Sequence, residues 1–513
     1  MLNKDNYSYN AFKGQVIGFV GVLVFLALTL LLPVKSVTLL FLSVLLVYSV
    51  LFPSKALTFL IIYFPARSFF IEMNPSLKIV AEVIIFGSLL HILWKSKKDT
   101  RSLFSFHWFE WAFFAFCAVG TISAYLNDVS LMAIITQLRA FLLTYLIFYV
   151  MKRLVLKNDD IHLYLWTTFF VASVLSVLGI IEKISDKTWL FPSAWEGFAI
   201  SPTNGDRVYG LAKNPNVLAS FLVIALFTSF YLKSLLVNWK QKLVWVGIIL
   251  IGTTSVLTYS RGTLLAFLVS FAVYVLWKRE WKKVIQLSAA LIMSLVVALY
   301  VVEPFTKWLD IKSTETVLPV TEVINMDENE GQGENRQKER IEETFSSDTL
   351  GQSRSGGRLW ILDKGFLVFS DHPIAGSGFA TFGDSASLAY GSPIYEQYEL
   401  RDGIYSDNQY IQVIAQTGVL GVVAFGAFLL AIFFMLLKRR DEPKAVFAML
   451  IFIAIVASSI VYNTWEDKAV TLYIFGLLGI IFSNSTEKLV TPSGIDKEKT
   501  VLKKERYKSV SNG

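Results

Sequence analysis

The stretch SRSGGRLWILDKGFLVFSDHPIAGSGFATFG, residues 353–383, and the stretch YSDNQYIQVIAQTG, residues 405–418, belong to one polar segment of the chain. This segment, Glu303–Ile411, opens with charged sequence of low complexity at residues 324–343. It interrupts a chain that otherwise consists of apolar blocks of about 20 residues, the length of helix that crosses a bilayer. Any chemistry of the protein is therefore expected where this segment meets the lipid surface.

The composition is that of a membrane protein. Of the 513 residues, 54% are hydrophobic and 17% are charged, and the mean hydropathy is +0.54. Soluble domains carry about 25% charged residues. A membrane barrel would show alternating segments of about ten residues in place of long apolar blocks. The sequence therefore predicts an all-α polytopic membrane protein.

The charges and the single cysteine exclude several classes of function. The net charge of +7 comes from basic residues beside the apolar blocks, so no nucleic-acid partner is expected. Cys117 lies within an apolar block, which excludes a disulfide and a thiolate metal site. The first apolar block lacks a small-residue cleavage site and is expected to be a transmembrane span.

About fourteen apolar blocks are candidate transmembrane helices. Their predicted first residues are Gly14, Val37, Ala56, Leu77, Trp108, Ala133, Ile161, Val217, Leu243, Thr263, Val284, Ile411, Ala445 and Ala469. From the fourth span onward, every second link is rich in lysine and arginine, which the positive-inside rule assigns to the cytoplasm. Both termini are then cytoplasmic, and the polar segment lies outside a bacterial plasma membrane.

This topology divides the chain into four parts. In chain order they are residues 1–302 with spans 1–11, the large extracytoplasmic loop 303–410, residues 411–485 with spans 12–14, and the basic cytoplasmic tail 486–513. Within the loop, we expect residues 320–350 to be a disordered acidic spacer. Residues 353–410 are expected to form an ordered lid.

The lid contains a helical pattern. Apolar residues recur at helical spacing at Leu359, Leu362, Phe366 and Phe369. The spacing predicts an amphipathic helix of about four turns that lies against the membrane or the helical bundle and ends at His372–Pro373. The glycines of IAGSGFATFG, which follow, predict a compact turn.

Two arginines lie on the predicted outer face. Arg261 starts a helix, where it violates the positive-inside rule and opposes the helix dipole. It is either a snorkelling arginine or a fixed cation for an anionic group such as a phosphate. Arg207 precedes Asn214–Pro215–Asn216, which open a helix whose free N–H groups can receive an anion. The alternative is an N-cap beside a surface charge.

Three further arginines are weaker candidates for substrate binding. Arg139 lies within an apolar block, where an arginine is a functional candidate unless it pairs with Glu182. Arg354 and Arg358 flank a pair of glycines just before the predicted lid helix, within reach of the same surface.

Polar residues open the twelfth span. Asn408, Gln412 and Gln416 form a polar stripe along this apolar helix, which either faces substrate or makes interhelical hydrogen bonds. Asp407 lies at the interface with Tyr410 one turn on, and its carboxylate could accept a proton from a sugar hydroxyl. Asn408 and Tyr410 are further candidates for substrate binding. A helix N-cap is the competing explanation for Asp407.

The sequence contains no motif for a bound metal or cofactor. It has no Walker loop, no HExxH, no GxSxG and no Asp-x-Asp pair, and the acidic residues from Asp327 lack EF-hand spacing. No metal and no cofactor are expected. Phosphate chemistry would then depend on arginines to neutralise the charge of the leaving group.

Four motifs in order resemble the O-antigen ligase and O-antigen polymerase (Wzy-type) family of bacterial membrane glycosyltransferases. They are GLAKNPNVLAS from Gly210, YSRGTLLAF from Tyr259, GRLWILDKGFLVFSDHPIAGSGFATF from Gly357 and SDNQYIQVIAQTGVLG from Ser406. The resemblance covers about Arg207–Gly421, and it implies the fold of the type C glycosyltransferases that use lipid-linked sugars.

The resemblance also implies a substrate and roles for residues. The donor would be an oligosaccharide on undecaprenyl diphosphate, with Arg207 and Arg261 holding the diphosphate. Asp407 stands where the ligases have a histidine that is proposed as the base, and this departure favours the polymerase-like members. Membrane lipid, a flippase and a chain-length regulator are the further partners expected.

The sequence thus predicts a metal-independent polymerase that builds a surface polysaccharide from lipid-linked repeat units on the outer face of the membrane. One alternative is a ligase that transfers finished glycan to a lipid, wall or protein acceptor. A second is a transporter or flippase for the same lipid-linked glycan, although no repeated halves are apparent.

Overall fold

A computed structural model describes residues 18–98, 100–185, 192, 195, 207–309, 357–401 and 403–483. The helices of these residues are α1 (Gly18–Leu31), α2 (Lys35–Leu51), α3 (Pro53–Met73), α4 (Pro75–Lys95), α5 (Trp108–Leu126), α6 (Leu131–Met151), α7 (Asn158–Ile184), α8 (Pro215–Ser234), α9 (Asn238–Leu257), α10 (Arg261–Lys278), α11 (Trp281–Leu309), α12 (Arg358–Asp371), α13 (Ser385–Tyr390), α14 (Gln409–Lys438), α15 (Pro443–Ser458) and α16 (Lys468–Phe482).

The all-α polytopic class is confirmed. Ten of these helices are long and apolar enough to cross a membrane, and four shorter apolar helices (α1, α2, α15 and α16) bring the total in the described ranges to the fourteen expected. The largest difference in a starting residue is at α9, which begins at Asn238 instead of Leu243. Short turns of 3₁₀ helix occur within α3 and α4, at Phe64–Ala66 and Pro75–Ile79.

Asparagine and proline set the starts of the helices that frame the site. Asn214 caps α8 by accepting hydrogen bonds from the backbone N–H groups of Asn216 and Val217, and Pro215 occupies the first helical position. Asn408 caps α14 in the same way. Because each cap satisfies N–H groups that have no partner within the helix, it fixes the residue at which the helix begins.

The lid packs on the N-terminal part of α14, which itself runs along α5. The side of α12 that is buried consists of Ile361, Gly365 and Val368. The face that packs on the bundle is therefore not the predicted apolar face, since Phe366 is 53% exposed, and contact of that face with the membrane stays a prediction. The physical reason is Gly365, where a Cβ would lie 2.3 Å from the Ile411 side chain.

The turn after α12 enters a kink in α14. Gly418 has φ 55° and ψ −160° there, and the backbone N–H groups that follow it donate to the carbonyl oxygens of Pro373 and Ile374 at 2.9 and 3.0 Å. On the other side of the kink, Ser377 and Gly378 donate backbone hydrogen bonds to carbonyl oxygens of α14 at 2.9 and 2.8 Å. The compact turn expected from the glycines is thus held by main-chain bonds to a broken helix.

Three predicted features lie outside the described residues. They are the acidic spacer at residues 320–350, Arg354 and the basic tail at residues 486–513.

Candidate active site

Arg207 precedes α8 and is tied to the turn that precedes α10. Its Nε donates a hydrogen bond to the Thr258 carbonyl oxygen at 2.9 Å, and its Nη2 donates to Asn216 Oδ1 at 2.8 Å. The Ser260 hydroxyl donates to the same Asn216 oxygen at 3.1 Å. Because Arg261 directly follows Ser260, the Asn216 side chain connects the segments that carry the two arginines.

The buried carboxylate of Glu182 holds the backbone just after Arg207. Its two oxygens accept hydrogen bonds from the backbone N–H groups of Tyr209 and Gly210 at 2.8 and 2.7 Å. Gly210 has φ 58°, and a Cβ there would lie 2.9 Å from the Leu218 side chain. The glycine of the first motif therefore allows a left-handed turn that packs closely on α8.

Asp407 occupies a strained position directly before the cap of α14. Its φ is 45°, in the left-handed region that residues other than glycine seldom adopt. The backbone N–H of Ser406 donates to the Gly383 carbonyl oxygen, and that of Gln409 donates to Ser459, each at 2.9 Å. These bonds fix both sides of Asp407 and hold its unusual conformation.

The Asp407 carboxylate is open to a ligand. The residue is half-buried, and no residue in the described part of the chain donates a hydrogen bond to its carboxylate. Burial raises the pKa of Asp407, and the positive charges of Arg358 and Arg207 oppose that rise. The N-cap explanation is wrong, because the oxygen that caps α14 belongs to Asn408.

The four charged groups share one electrostatic environment. Burial is the main cause that lowers the pKa of Arg207, and the positive charges of Arg358 and Arg261 lower it further. Tyr209, which is the second-largest cause, and Asp407 raise it. Arg261 and Arg358 are exposed, whereas Arg207 is half-buried. The fold therefore brings Arg207 and Arg358 within electrostatic range of the Asp407 carboxylate, and Arg261 within range of Arg207.

Asn408 and Tyr410 have structural contacts. The Asn408 side-chain oxygen accepts the backbone N–H groups of Tyr410 and Ile411 at 3.0 and 3.1 Å. The Tyr410 hydroxyl donates to the Val456 carbonyl oxygen at 2.6 Å, which joins α14 to α15.

The polar stripe on α14 makes hydrogen bonds between elements. Gln412 and Gln416 are each 1% exposed, and their amide nitrogens donate to Glu466 and Asp384 respectively. The interhelical explanation of these two glutamines is confirmed.

Two buried carboxylates that the sequence interpretation missed thereby support the lid. Asp384 also accepts the backbone N–H groups of Ala380, Ala386 and Ser387. Glu466 accepts from Gln137 of α6 at 2.6 Å, and from the backbone N–H and hydroxyl of Ser385 at 3.1 and 2.8 Å. Burial, followed by the charge of Asp384, raises the pKa of Glu466 to about 7. Burial also raises the pKa of Asp384.

Arg139 belongs to a different group of charges. It forms an ion pair with Glu82 of α4, so the pairing with Glu182 considered from the sequence is not the one formed. Arg139 and Arg67 both lie within electrostatic range of Lys468, at the start of α16. Neither Arg67 nor Lys468 stood out in the sequence, because each lies at the edge of an apolar block.

Metal ligands do not converge within the described ranges, where no three His, Cys, Asp or Glu side chains form a group that could hold a metal ion. The site consists of a carboxylate, three guanidinium groups and the backbone around them. Such a set can accept a proton and neutralise an anionic group with bidentate hydrogen bonds.

Comparison with known proteins shows a family similarity over about a third of the chain. Residues 246–426 match the sequence model of the O-antigen ligase family. The matched region runs from α9 to α14 and contains Arg261, Arg358 and Asp407, whereas Arg207 lies before it. No curated protein matches the chain. The chain is therefore a multi-pass membrane protein whose residues 246–426 are similar to the O-antigen ligase family, and this match supports a ligase- or polymerase-like, glycan-handling function.

Proposed function

We propose that this protein is a polysaccharide polymerase-like glycosyltransferase of the plasma membrane. It lengthens a glycan on the outer face, using repeat units linked to undecaprenyl diphosphate. One observation carries the proposal, namely the Asp407 carboxylate, which accepts no hydrogen bond from the described residues, is held at a positive φ and lies within electrostatic range of Arg207 and Arg358. Arg261 lies in turn within electrostatic range of Arg207.

The proposed reaction is a displacement at the anomeric carbon of the donor sugar. Asp407 accepts the proton of an acceptor hydroxyl while that oxygen forms a bond to the anomeric carbon. The bond between this carbon and the diphosphate oxygen breaks, and the diphosphate leaves with the electron pair. Arginine side chains neutralise the charge that develops on the leaving group, and Asp407 returns its proton to solvent.

The electrostatics of the site suit a general base. Burial raises the pKa of Asp407, which makes the carboxylate a stronger proton acceptor. Arg358 and Arg207 oppose this effect and favour the ionised form that the reaction needs. Both guanidinium groups can also contact the diphosphate, because a planar fork of donors matches phosphate oxygens.

The test is glycan extension by the purified protein in lipid nanodiscs with undecaprenyl-diphosphate oligosaccharide as the only substrate. We expect longer lipid-linked glycan and released undecaprenyl diphosphate. Asp407→Asn should lower the rate at least about 100-fold, the size of a general-base contribution. The control is Asp363→Asn, an exposed carboxylate on α12 that should retain the wild-type rate.

Three results would contradict the proposal. Wild-type extension by Asp407→Asn would exclude this residue as the base. Transfer only to an added acceptor without a lipid diphosphate would indicate a ligase. Movement of the lipid-linked glycan across a proteoliposome bilayer, without extension, would indicate a transporter. A flippase and a chain-length regulator are the proposed protein partners in the cell.

A further inference from the structure

A cavity of about 440 Å³ lies at the end of the helical bundle opposite to Asp407. Arg261 begins α10 at the candidate active site, and Lys278, at the other end of this 18-residue helix, lines the cavity. A helix of this length spans roughly 27 Å, so the cavity is separate from the active site. The volume lies within the range of about 300–1,000 Å³ that is typical of ligand sites.

The inner wall of the cavity is apolar and aromatic. Phe227, Tyr231, Phe271, Phe447 and Leu450 contribute to this wall. The rings of Tyr231 and Phe447 are stacked, with centroids 4.8 Å apart and an angle of 6° between their planes. The wall extends about two turns into α8 and α15, or roughly 10 Å, which is deep enough for part of an acyl chain.

The rim of the cavity is basic. Its charged residues are Lys233, Lys278, Lys283, Arg440, Glu280 and Asp441, which give a net charge of +2 from four cations and two anions. Glu280 forms an ion pair with Lys283 at 2.6 Å. Asp441 is exposed.

Lys233, Lys278 and Arg440 form no ion pair within 4 Å with a carboxylate in the described part of the chain, although the charge of Glu280, which is paired with Lys283, also acts on Lys278. Lys233 donates to Gln286 Oε1 at 2.7 Å and lies 4.1 Å from the centroid of the Trp245 ring, and Lys278 donates to the Arg440 carbonyl oxygen at 3.1 Å. These partners are neutral, so the positive charge of the rim is available to an anion.

We propose that this cavity binds one anionic phospholipid. The phosphate lies at the basic rim and one acyl chain lies along the aromatic wall. Lysine-rich links carry the rim, and the positive-inside rule assigns these links to the cytoplasmic leaflet, where basic pockets between helices bind anionic head groups. The proposal is independent of the glycosyltransferase activity.

Charge distinguishes a lipid from another occupant of the cavity. The chain itself continues after α16 with residues 484–513, in which seven basic and four acidic residues give a net charge of +3. A basic tail is repelled by a basic rim, whereas a phosphodiester is attracted to it. An anionic lipid is therefore the occupant that matches both the charge of the rim and the apolar wall.

The test compares phosphatidylglycerol with phosphatidylcholine of the same acyl chains, added to delipidated protein in detergent. We expect native mass spectrometry to retain one phosphatidylglycerol and thermal unfolding to shift upward only with the anionic lipid. Lys278→Gln combined with Arg440→Gln should weaken phosphatidylglycerol binding roughly 30-fold, since each basic residue near an anionic lipid contributes about 1 kcal/mol. Lys240→Gln combined with Lys242→Gln is the control, because both residues are exposed and neither lines the cavity.

A second variant tests the apolar wall without a change in charge. Val446→Trp fills the cavity and should also abolish retention of the lipid. It tests the proposal even if the double rim variant does not fold. Equal retention of both lipids, equal losses in the rim and control variants, or a shift with inorganic phosphate alone that equals the shift with lipid would each overturn the proposal.

Discussion

Asp407 combines a positive φ with a carboxylate that accepts no hydrogen bond from the residues that the structure describes, and both properties depend on its neighbours. Asn408 supplies the capping oxygen of α14, which leaves the Asp407 side chain free of that role. Strained backbone persists only where the surrounding structure holds it, and it is concentrated at functional sites. A local pattern of Asp-Asn before a helix cannot show which of the two residues is the cap.

The pH dependence of the reaction follows from the charges around Asp407. A base must be ionised, so the rate should fall as the pH decreases through the pKa of Asp407, which burial raises above the ordinary value of about 3.9. Arg358 lowers that pKa, so Arg358→Gln should raise it and move the acidic limb of the rate profile to higher pH. The measurement is kcat against pH, with Lys78→Gln, an exposed lysine of α4, as the control. An acidic limb that stays in place or moves to lower pH would exclude this coupling.

Glu466 attaches the lid to the helical bundle. Its carboxylate accepts hydrogen bonds from Gln137 of α6, Gln412 of α14 and Ser385 of the lid. Glu466→Ala leaves these buried donors unpaired and should lower the free energy of unfolding by at least about 2 kcal/mol. Thermal unfolding in nanodiscs measures the effect. Glu396→Ala, at an exposed position of the lid, is the matched control, and an equal loss in both variants would show that Glu466 does not hold the lid.

The elements of the lid also show what the sequence could not reveal. Asp384 caps α13, and Glu466 lies one residue before the residue that caps α16. A carboxylate just before a helix is common for local reasons, so neither residue indicated a contact with a distant part of the chain. Their contacts with the glutamines of α14 join distant parts of the chain and leave no periodic pattern. The buried face of α12 depends on Gly365, where the absence of a side chain allows close contact with Ile411. A pattern of apolar residues does not identify such a position.

The number of apolar helices in the molecule could be predicted, because each helix depends only on the local length of an apolar block. A shared site for Arg207, Arg261 and Asp407 could be predicted only from the family resemblance, because these residues lie in three separate segments of the chain. The kink of α14 could not be predicted from the apolar pattern, because the turn at Pro373–Gly378 enters it from elsewhere in the chain. Gly418 marks the place only once its positive φ is known.

The orientation of the molecule is the prediction on which the location of the chemistry depends. In a Cys117→Ser background, Glu396→Cys places a thiol at an exposed position of the lid, and Lys240→Cys places one in the first turn of α9, beside the basic link that follows α8. The positive-inside rule assigns the basic link to the cytoplasm. An impermeant maleimide should label Glu396→Cys on intact cells and should label Lys240→Cys only after the membrane is permeabilised. The reverse pattern would place Asp407 on the cytoplasmic side, where it could not act on a glycan at the outer face.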